Sequence, residues 1–134
     1  PDNLKRLGSF QEDVYLHQVV VGEGGRVTRR HKDLDLALVH AENHPDDLGD
    51  EWRIHFHVPL HASPGEGLGD TRDHVEGTLD LLAANPVLCR HLEMETYTWE
   101  VLPKNLRSDE VVEQIIREYD WTLSELAARD LGSD

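Results

Sequence analysis

The sequence predicts an α/β fold, the C-terminal portion of a β/α barrel, on the basis of three observations. Segments with strand composition alternate three times with segments of helical periodicity along the 134 residues, and such alternation favours parallel strands joined by right-handed crossovers. Two of the strands are apolar on one face only, whereas strands of a doubly wound sheet are apolar on both faces. Three strands cannot close a barrel. We therefore expect residues 1–134 to be the last units of a single barrel domain, a fragment completed by a missing N-terminal part or by another chain.

The first strand and helix are predicted in the N-terminal third of the chain. Val14–Val21, VYLHQVVV, is rich in β-branched residues, and the turn sequence GEGG at Gly22–Gly25 ends it. Val27–Arg30 could return as a short second strand. Asp33 is a suitable N-cap for a helix over residues 34–43, LDLALVHAEN, which carries apolar residues along one side.

The next strand and helix follow in the middle of the chain. The strand is predicted over Arg53–Leu60, RIHFHVPL, and successive side chains of a strand point to opposite faces. The apolar and polar residues therefore separate onto two faces: Trp52, Ile54, Phe56 and Val58 on one, Arg53, His55 and His57 on the other. After a glycine-rich loop, a helix is predicted from Asp70 or Thr71 to a stop at Asn85-Pro86.

The last strand and helix are predicted in the C-terminal third. The strand covers residues 89–99, CRHLEMETYTW, with Glu93 and Glu95 on its polar face. Ser108 is the predicted cap of the last helix, with acidic residues in its first turn. The apolar residues of this helix form a stripe for one buried face: Val112, Ile115, Ile116, Tyr119, Leu123 and Leu126.

The chain is strongly acidic. It has 13 Lys and Arg against 27 Asp and Glu, a formal net charge of −14. This charge argues against a nucleic acid or an anionic membrane as partner, because both would be repelled. No apolar run is long enough to insert in a membrane, and no signal-peptide pattern is visible. The single cysteine, Cys89, fits a reducing compartment, so we expect a cytoplasmic protein.

Histidine and glutamate on two predicted strands indicate a metal site. His55 and His57 supply imidazole nitrogen, and Glu93 and Glu95 supply carboxylate oxygen, a ligand set that suits a divalent ion such as zinc, manganese, iron or magnesium. His57 and Glu95 are the first choices because each lies nearer the C-terminal end of its strand, where a barrel opens to substrate. His17, in the first strand, is a third candidate ligand.

Each candidate also has an interpretation without a ligand. The histidines and glutamates could form the solvated face of an open sheet or a hydrogen-bonded polar core. Arg53 could hold a phosphate or carboxylate of a substrate, although neutralising an internal carboxylate is the commoner role of such a residue. Tyr97 and Trp99 could wall a substrate pocket or stack on a sugar-like ligand, or they could simply pack at a strand end.

Three segments of the chain resemble a known family. YLHQVV (Tyr15–Val20), WRIHFHVPL (Trp52–Leu60) and HLEMETYTWEVLP (His91–Pro103) resemble the C-terminal part of the EboE family, metabolite traffic proteins with a xylose isomerase-like TIM (β/α)8 barrel. The resemblance spans nearly the whole chain. It implies that a late-strand histidine and a last-strand glutamate, here His57 and Glu95, ligate the metal. The ligands that the superfamily carries on earlier strands have no counterpart here.

The resemblance implies a function in the traffic of secondary-metabolite precursors. We expect a metal-dependent isomerase or epimerase that acts on a small polar metabolite, sugar-like or phosphorylated, with Glu93, Glu95 and His57 as catalytic residues. The first alternative is a non-catalytic binding or carrier protein that retains the barrel pocket. The second is a metal-dependent phosphoester hydrolase of the endonuclease IV-like type, for which the acidic charge disfavours DNA as substrate.

Overall fold

A computed structural model describes residues 2–63, 65, 67–95, 99–101, 104 and 110–131. The chain divides into two compact units, Pro1–His57 and Val58–Asp134. The elements of the N-terminal unit are α1 (Asp2–Gly8), β1 (Val19–Glu23), β2 (Arg26–His31), α2 (Leu34–Asn43) and β3 (Glu51–Ile54). Those described in the C-terminal unit are α3 (Arg72–Ala84), a 3-10 helix (Trp99–Val101) and α4 (Val111–Ala127).

The sheet of the N-terminal unit is antiparallel throughout. Its strand order is β2-β1-β3, and β1 pairs antiparallel with both neighbours. Gly24 and Gly25 form a two-residue turn between β1 and β2, with φ of 57° and 75°. A tight hairpin turn with positive φ at both central residues strongly favours glycine, so the GEGG sequence directs the chain straight back into an antiparallel neighbour.

The predicted barrel portion is wrong. The described strands form a three-stranded antiparallel sheet in the N-terminal unit, and together with the four α-helices of the described residues they give the chain an α+β content, not that of a barrel portion. The predicted strand over residues 89–99 does not form in its described part, since residues 89–95 have no regular secondary structure and Trp99 begins a 3-10 helix; residues 96–98 lie outside the described residues. The one-sided polarity that suggested a barrel is equally typical of an antiparallel sheet with one solvated face. Because the sheet is not part of a barrel, there is no longer a reason to expect further strands that would complete one.

The core of the N-terminal unit lies between the sheet and its helices. Val19 and Val21 of β1 are fully buried, and they alternate with half-buried Val20 as a strand with one inward face requires. From α2, Leu34 and Ala37 are buried with them. The predicted N-cap of α2 is confirmed: Asp33 Oδ1 accepts hydrogen bonds from the backbone N–H of Leu34 at 2.8 Å and of His17 at 3.0 Å.

The helices of the C-terminal unit lie where the sequence predicts them, but α4 buries a different face from the predicted one. The predicted α3 is confirmed, with Leu79 and Leu82 buried. α4 forms as well, and Ser108, its predicted cap, lies outside the described residues. The predicted burial of its apolar stripe is wrong, because Val112, Ile116, Tyr119 and Leu123 are 48–61% exposed. The buried residues of α4 are instead Gln114 and Glu118. Within the described part of the chain, none of the helices combines the length and the apolarity of a membrane span.

Candidate functional site

The end of β3 carries the candidate site. The antiparallel pairing of Val19 with Ile54 continues for one more residue, because the backbone N–H of His55 donates to the carbonyl of Gln18 at 3.0 Å. Residues that face each other across an antiparallel pair have their side chains on the same side of the sheet. The Gln18 side chain therefore reaches the imidazole, and its Oε1 lies 3.1 Å from His55 Nδ1.

His55 and His57 form a pair on the solvent side of this segment. The predicted alternation is confirmed from Glu51 to Val58, with exposed polar residues between half-buried apolar ones. The two imidazole ring centroids are 5.0 Å apart, and the planes are inclined by 39°. We call His55 and His57 the histidine pair.

Gln18 determines which nitrogen of His55 can bind a ligand. An amide oxygen only accepts hydrogen bonds, so the nitrogen that faces it, Nδ1, carries the proton of a neutral ring. The lone pair is then on Nε2. Metal-binding histidines typically have such a partner on the second ring nitrogen, because it orients the ring and raises its basicity.

His17, the third candidate ligand, lies elsewhere in the unit. It is 8% exposed, and its ring lies against that of Phe56, with centroids 4.8 Å apart and planes inclined by 53°. Its Nε2 lies 3.6 Å from Glu12 Oε1, and its Nδ1 lies 4.0 Å from Asp33 Oδ1. Both carboxylates also accept backbone N–H groups, Glu12 from Tyr15 and Asp33 from Leu34. These contacts support a structural role in which His17 joins the loop before β1 to the start of α2.

Arg53 lies on the same face as the histidine pair. Its Nε is 3.0 Å from Glu51 Oε1, and both side chains are largely exposed. Such a surface ion pair contributes little stability. The arrangement agrees with the charge-neutralising role for Arg53, although the partner carboxylate is at the surface and not internal.

The candidates of the C-terminal unit have no strand to orient them. Glu93 and Glu95 are exposed in an irregular segment, which is anchored where Thr122 Oγ1 of α4 donates to Met94 Sδ at 3.6 Å. Trp99 is half-buried in the 3-10 helix. Tyr97 lies outside the described residues. The glutamates and the histidine pair belong to different units, so their convergence on one metal stays a prediction.

A second group of histidines lies at the opposite edge of the sheet, where His31 ends β2. The ring centroids of His31 and His40 are 5.3 Å apart, and those of His40 and His44 are 4.6 Å apart. Asp47 Oδ2 lies 3.6 Å from His40 Nε2 and 2.5 Å from Arg29. The signal in the sequence was the i, i+4 spacing of His40 and His44, which places both on one helix face.

This second group is electrostatically crowded. The Nε2 atom of His31 is buried and has no hydrogen-bond partner among the described residues, and the Nε2 atom of His40 is buried beside the carboxylate of Asp47. Burial lowers the pKa of His31, and the nearby His40 and Arg29 lower it further. The Arg29 guanidinium holds the pKa of Asp47 below its ordinary value.

Comparison with known proteins gives no further information about the site. No family model, curated protein or solved structure matches this chain. The resemblance to the EboE family therefore stays a prediction.

The histidine pair offers two ligands and not a complete cage. Among the residues that the structure describes, no three or more His, Cys, Asp or Glu side chains are grouped to hold a metal ion. Two neighbouring imidazoles on an exposed strand end can still bind one ion in two positions. Water or oxygen atoms of a bound molecule would then occupy the remaining positions, as they do at open metal sites.

Proposed function

We propose that this chain binds a small polar metabolite through a divalent metal ion held by His55 and His57. The observation that carries the proposal is the position of Gln18, whose Oε1 lies 3.1 Å from His55 Nδ1. This contact directs the proton to Nδ1 and leaves Nε2 as the ligand atom, and the ring centroid of His57 lies 5.0 Å from that of His55. Both residues were metal candidates on the sequence pattern.

The donor set favours some ions over others. Imidazole nitrogen suits zinc, iron, nickel and copper, whereas magnesium prefers oxygen ligands. A bound ion would act as a Lewis acid toward the hydroxyl, carbonyl or phosphate oxygens of a metabolite. Arg53 lies on the same face, where the carboxylate of Glu51 offsets its charge. A metabolite with several oxygens, sugar-like or phosphorylated, is therefore the ligand class that we propose.

Binding or carriage is better supported than catalysis. The proposed isomerase and the hydrolase alternative needed Glu93 and Glu95 beside His57, and parallel neighbouring strands were the reason to expect this. The antiparallel sheet removes that reason. A carrier needs only the ion and the metabolite, so we propose carriage of a small polar metabolite, with a cytoplasmic location as the accompanying prediction. A role in secondary-metabolite precursor traffic rests on the family resemblance alone.

Isothermal titration of the whole chain with zinc or nickel tests the ion. We expect binding that falls at least about tenfold in His55→Ala and in His57→Ala. His74→Ala removes an exposed histidine of α3 and should leave the affinity unchanged. The double variant His40→Ala/His44→Ala shows how much of the ion binding comes from the second histidine group and not from the histidine pair.

A second titration tests the metabolite. Glucose 6-phosphate and inorganic phosphate are added to the chain with and without the ion. Ion-dependent binding of the sugar phosphate supports the proposal. Equal binding without the ion, or in the His55→Ala/His57→Ala variant, would contradict it.

A further inference from the structure

The exposed side of α4 carries an apolar stripe that its own unit does not cover. The stripe consists of Val112, Ile116, Tyr119 and Leu123, which we call the α4 stripe. We propose that the α4 stripe docks an amphipathic helix of a partner protein, one with basic residues beside its apolar seam. The proposal is independent of the histidine pair, which belongs to the other unit.

The spacing of the α4 stripe is that of a helix–helix seam. Its members follow one another at intervals of four, three and four residues, the repeat that keeps side chains facing a partner helix in knobs-into-holes packing. Leu126 continues the repeat and is half-buried. At 1.5 Å per residue the 17 residues of α4 span about 25 Å, the length of about two and a half heptads.

The opposite side of α4 explains why the stripe is outside. Gln114 is completely buried and Glu118 is 6% exposed, and both lie about half a turn away from the stripe. The unit therefore uses the polar face of α4 internally and leaves the apolar face in water. Four large apolar side chains, each about half exposed, lie in one continuous row, and such contiguous apolar patches mark interaction sites.

The charges beside the α4 stripe select the partner. Glu113 and Asp120 each follow a stripe residue directly, so they line one flank of the stripe. The other flank carries half-buried Ile115 and Thr122, without a charge. Arg117 lies farther round the helix, 4.0 Å from Glu113, so it offsets part of the charge of Glu113 but leaves the flank acidic at Asp120. Lysine or arginine at the flanking positions of a partner helix would complement this acidic flank.

Two other occupants fit the charges less well. A second copy paired antiparallel would place one acidic flank against the other, and a parallel pair would place it against Ile115 and Thr122 without an ion pair. Each copy also carries a net charge of −14. An anionic membrane surface would be repelled by the same charges. A basic amphipathic helix is the occupant for which the apolar spacing and the charges agree.

The test uses two synthetic helical peptides with leucine at both seam positions of about three heptads. One peptide carries lysine at the flanking positions, and the other carries glutamate. We expect the whole chain to bind the lysine peptide, more weakly at high salt, and not the glutamate peptide, as followed by fluorescence anisotropy. Ile116→Ala/Leu123→Ala should weaken binding by about tenfold or more, whereas Leu81→Ala/Leu88→Ala, two exposed leucines outside α4, should not.

A charge reversal provides the decisive comparison. Glu113→Lys/Asp120→Lys should exchange the preference and bind the glutamate peptide instead. Equal binding of both peptides, or the same preference after the reversal, would overturn the proposal. Sedimentation that shows self-association lost in Ile116→Ala/Leu123→Ala would overturn it in favour of a second copy, and stripe-dependent binding to phosphatidylserine vesicles would overturn it in favour of a membrane.

Discussion

His55 Nδ1 lies 3.1 Å from the side-chain oxygen of Gln18, across the pairing of β3 with β1. The backbone N–H of His55 also donates a hydrogen bond to the backbone carbonyl of Gln18, at 3.0 Å. Gln18 therefore holds both the main chain and the ring of His55. This double contact distinguishes His55 from an ordinary surface histidine, and in the proposed metal site Gln18 is the residue that positions His55.

Substitution of Gln18 tests this positioning role. Gln18→Ala removes the partner of Nδ1, and loss of such a partner typically weakens metal affinity by about 10–100-fold. We expect the zinc affinity, measured by isothermal titration, to decrease by about 10–100-fold. The fold should be retained because Gln18 is exposed. Gln11→Ala, at another exposed glutamine, is the control. Unchanged affinity in Gln18→Ala would remove Gln18 from the site.

Gly49 is expected to tolerate no side chain. Its φ is 67°, and a Cβ built there would lie 2.6 Å from the carbonyl oxygen of Gly22 and 2.7 Å from Val21 Cγ1. Gly49→Ala combines a backbone conformation unfavourable for alanine with a clash against β1, so we expect a loss of unfolding free energy above about 2 kcal/mol. Gly69→Ala, where a Cβ meets no atom within 4 Å, should stay within about 0.5 kcal/mol. Urea denaturation measures both, and similar midpoints would contradict the described approach of Gly49 to β1.

The N-cap of α2 makes a third prediction. Asp33→Ala removes the acceptor of both the Leu34 and the His17 backbone N–H groups, so we expect a loss of about 1–2 kcal/mol in unfolding free energy. Asp33→Asn keeps an acceptor and should recover most of the loss. Asp35→Ala, at an exposed residue of the first turn, is the control in the same thermal or urea unfolding. A loss in Asp35→Ala as large as in Asp33→Ala would contradict the cap.

The second histidine group predicts a stability that falls in mild acid. The pKa of His31 is lowered in the folded chain by burial and by His40 and Arg29, so the unfolded chain binds a proton more readily. The contribution of His31 is therefore fully present above its unfolded pKa of about 6.5 and is lost as the pH falls through that value toward the folded pKa. The pKa of Asp47 is lowered from 3.8, so its contribution is lost only in stronger acid.

Urea unfolding between about pH 7.5 and pH 5 measures this dependence. We expect His31→Gln to reduce the slope of unfolding free energy against pH. Part of the slope should remain, since burial also lowers the pKa of His61 in the C-terminal unit. His74→Gln, at an exposed histidine, should leave the slope unchanged. A wild-type stability that rises on acidification over this range would contradict the crowding of His31.

Local features of the fold could be predicted from the sequence, whereas the strand directions could not. The alternation from Arg53 to Val58 specified which side chains share a face, and Asp33 indicated where α2 begins. Alternation does not specify whether the neighbouring strand runs parallel or antiparallel. Gly24 and Gly25 indicate the direction of β2, since a two-residue hairpin turn can join only antiparallel strands, but they do not indicate the direction of β3, which pairs with β1 from a distant segment.

Only the local part of the candidate site could be predicted from the sequence. His55 and His57 follow the last residue of β3, and their proximity follows from their i, i+2 spacing, whereas the contact of His55 with Gln18 depends on strand pairing between distant segments. The α4 stripe shows the converse limit. Helical periodicity correctly placed its residues on one face, but it does not state whether that face meets the unit's own core or another protein.

The central claim, a metal ion held by His55 and His57, is tested most directly by nitrogen-15 NMR of the histidine rings during a zinc titration. Single substitutions of each histidine assign the signals. The proposed site predicts that the ring signals of His55 and His57 change together up to one equivalent of zinc, with His55 bound through Nε2 and protonated at Nδ1. Changes that start at His31, His40 and His44, or that leave His55 unaffected at one equivalent, would contradict the claim.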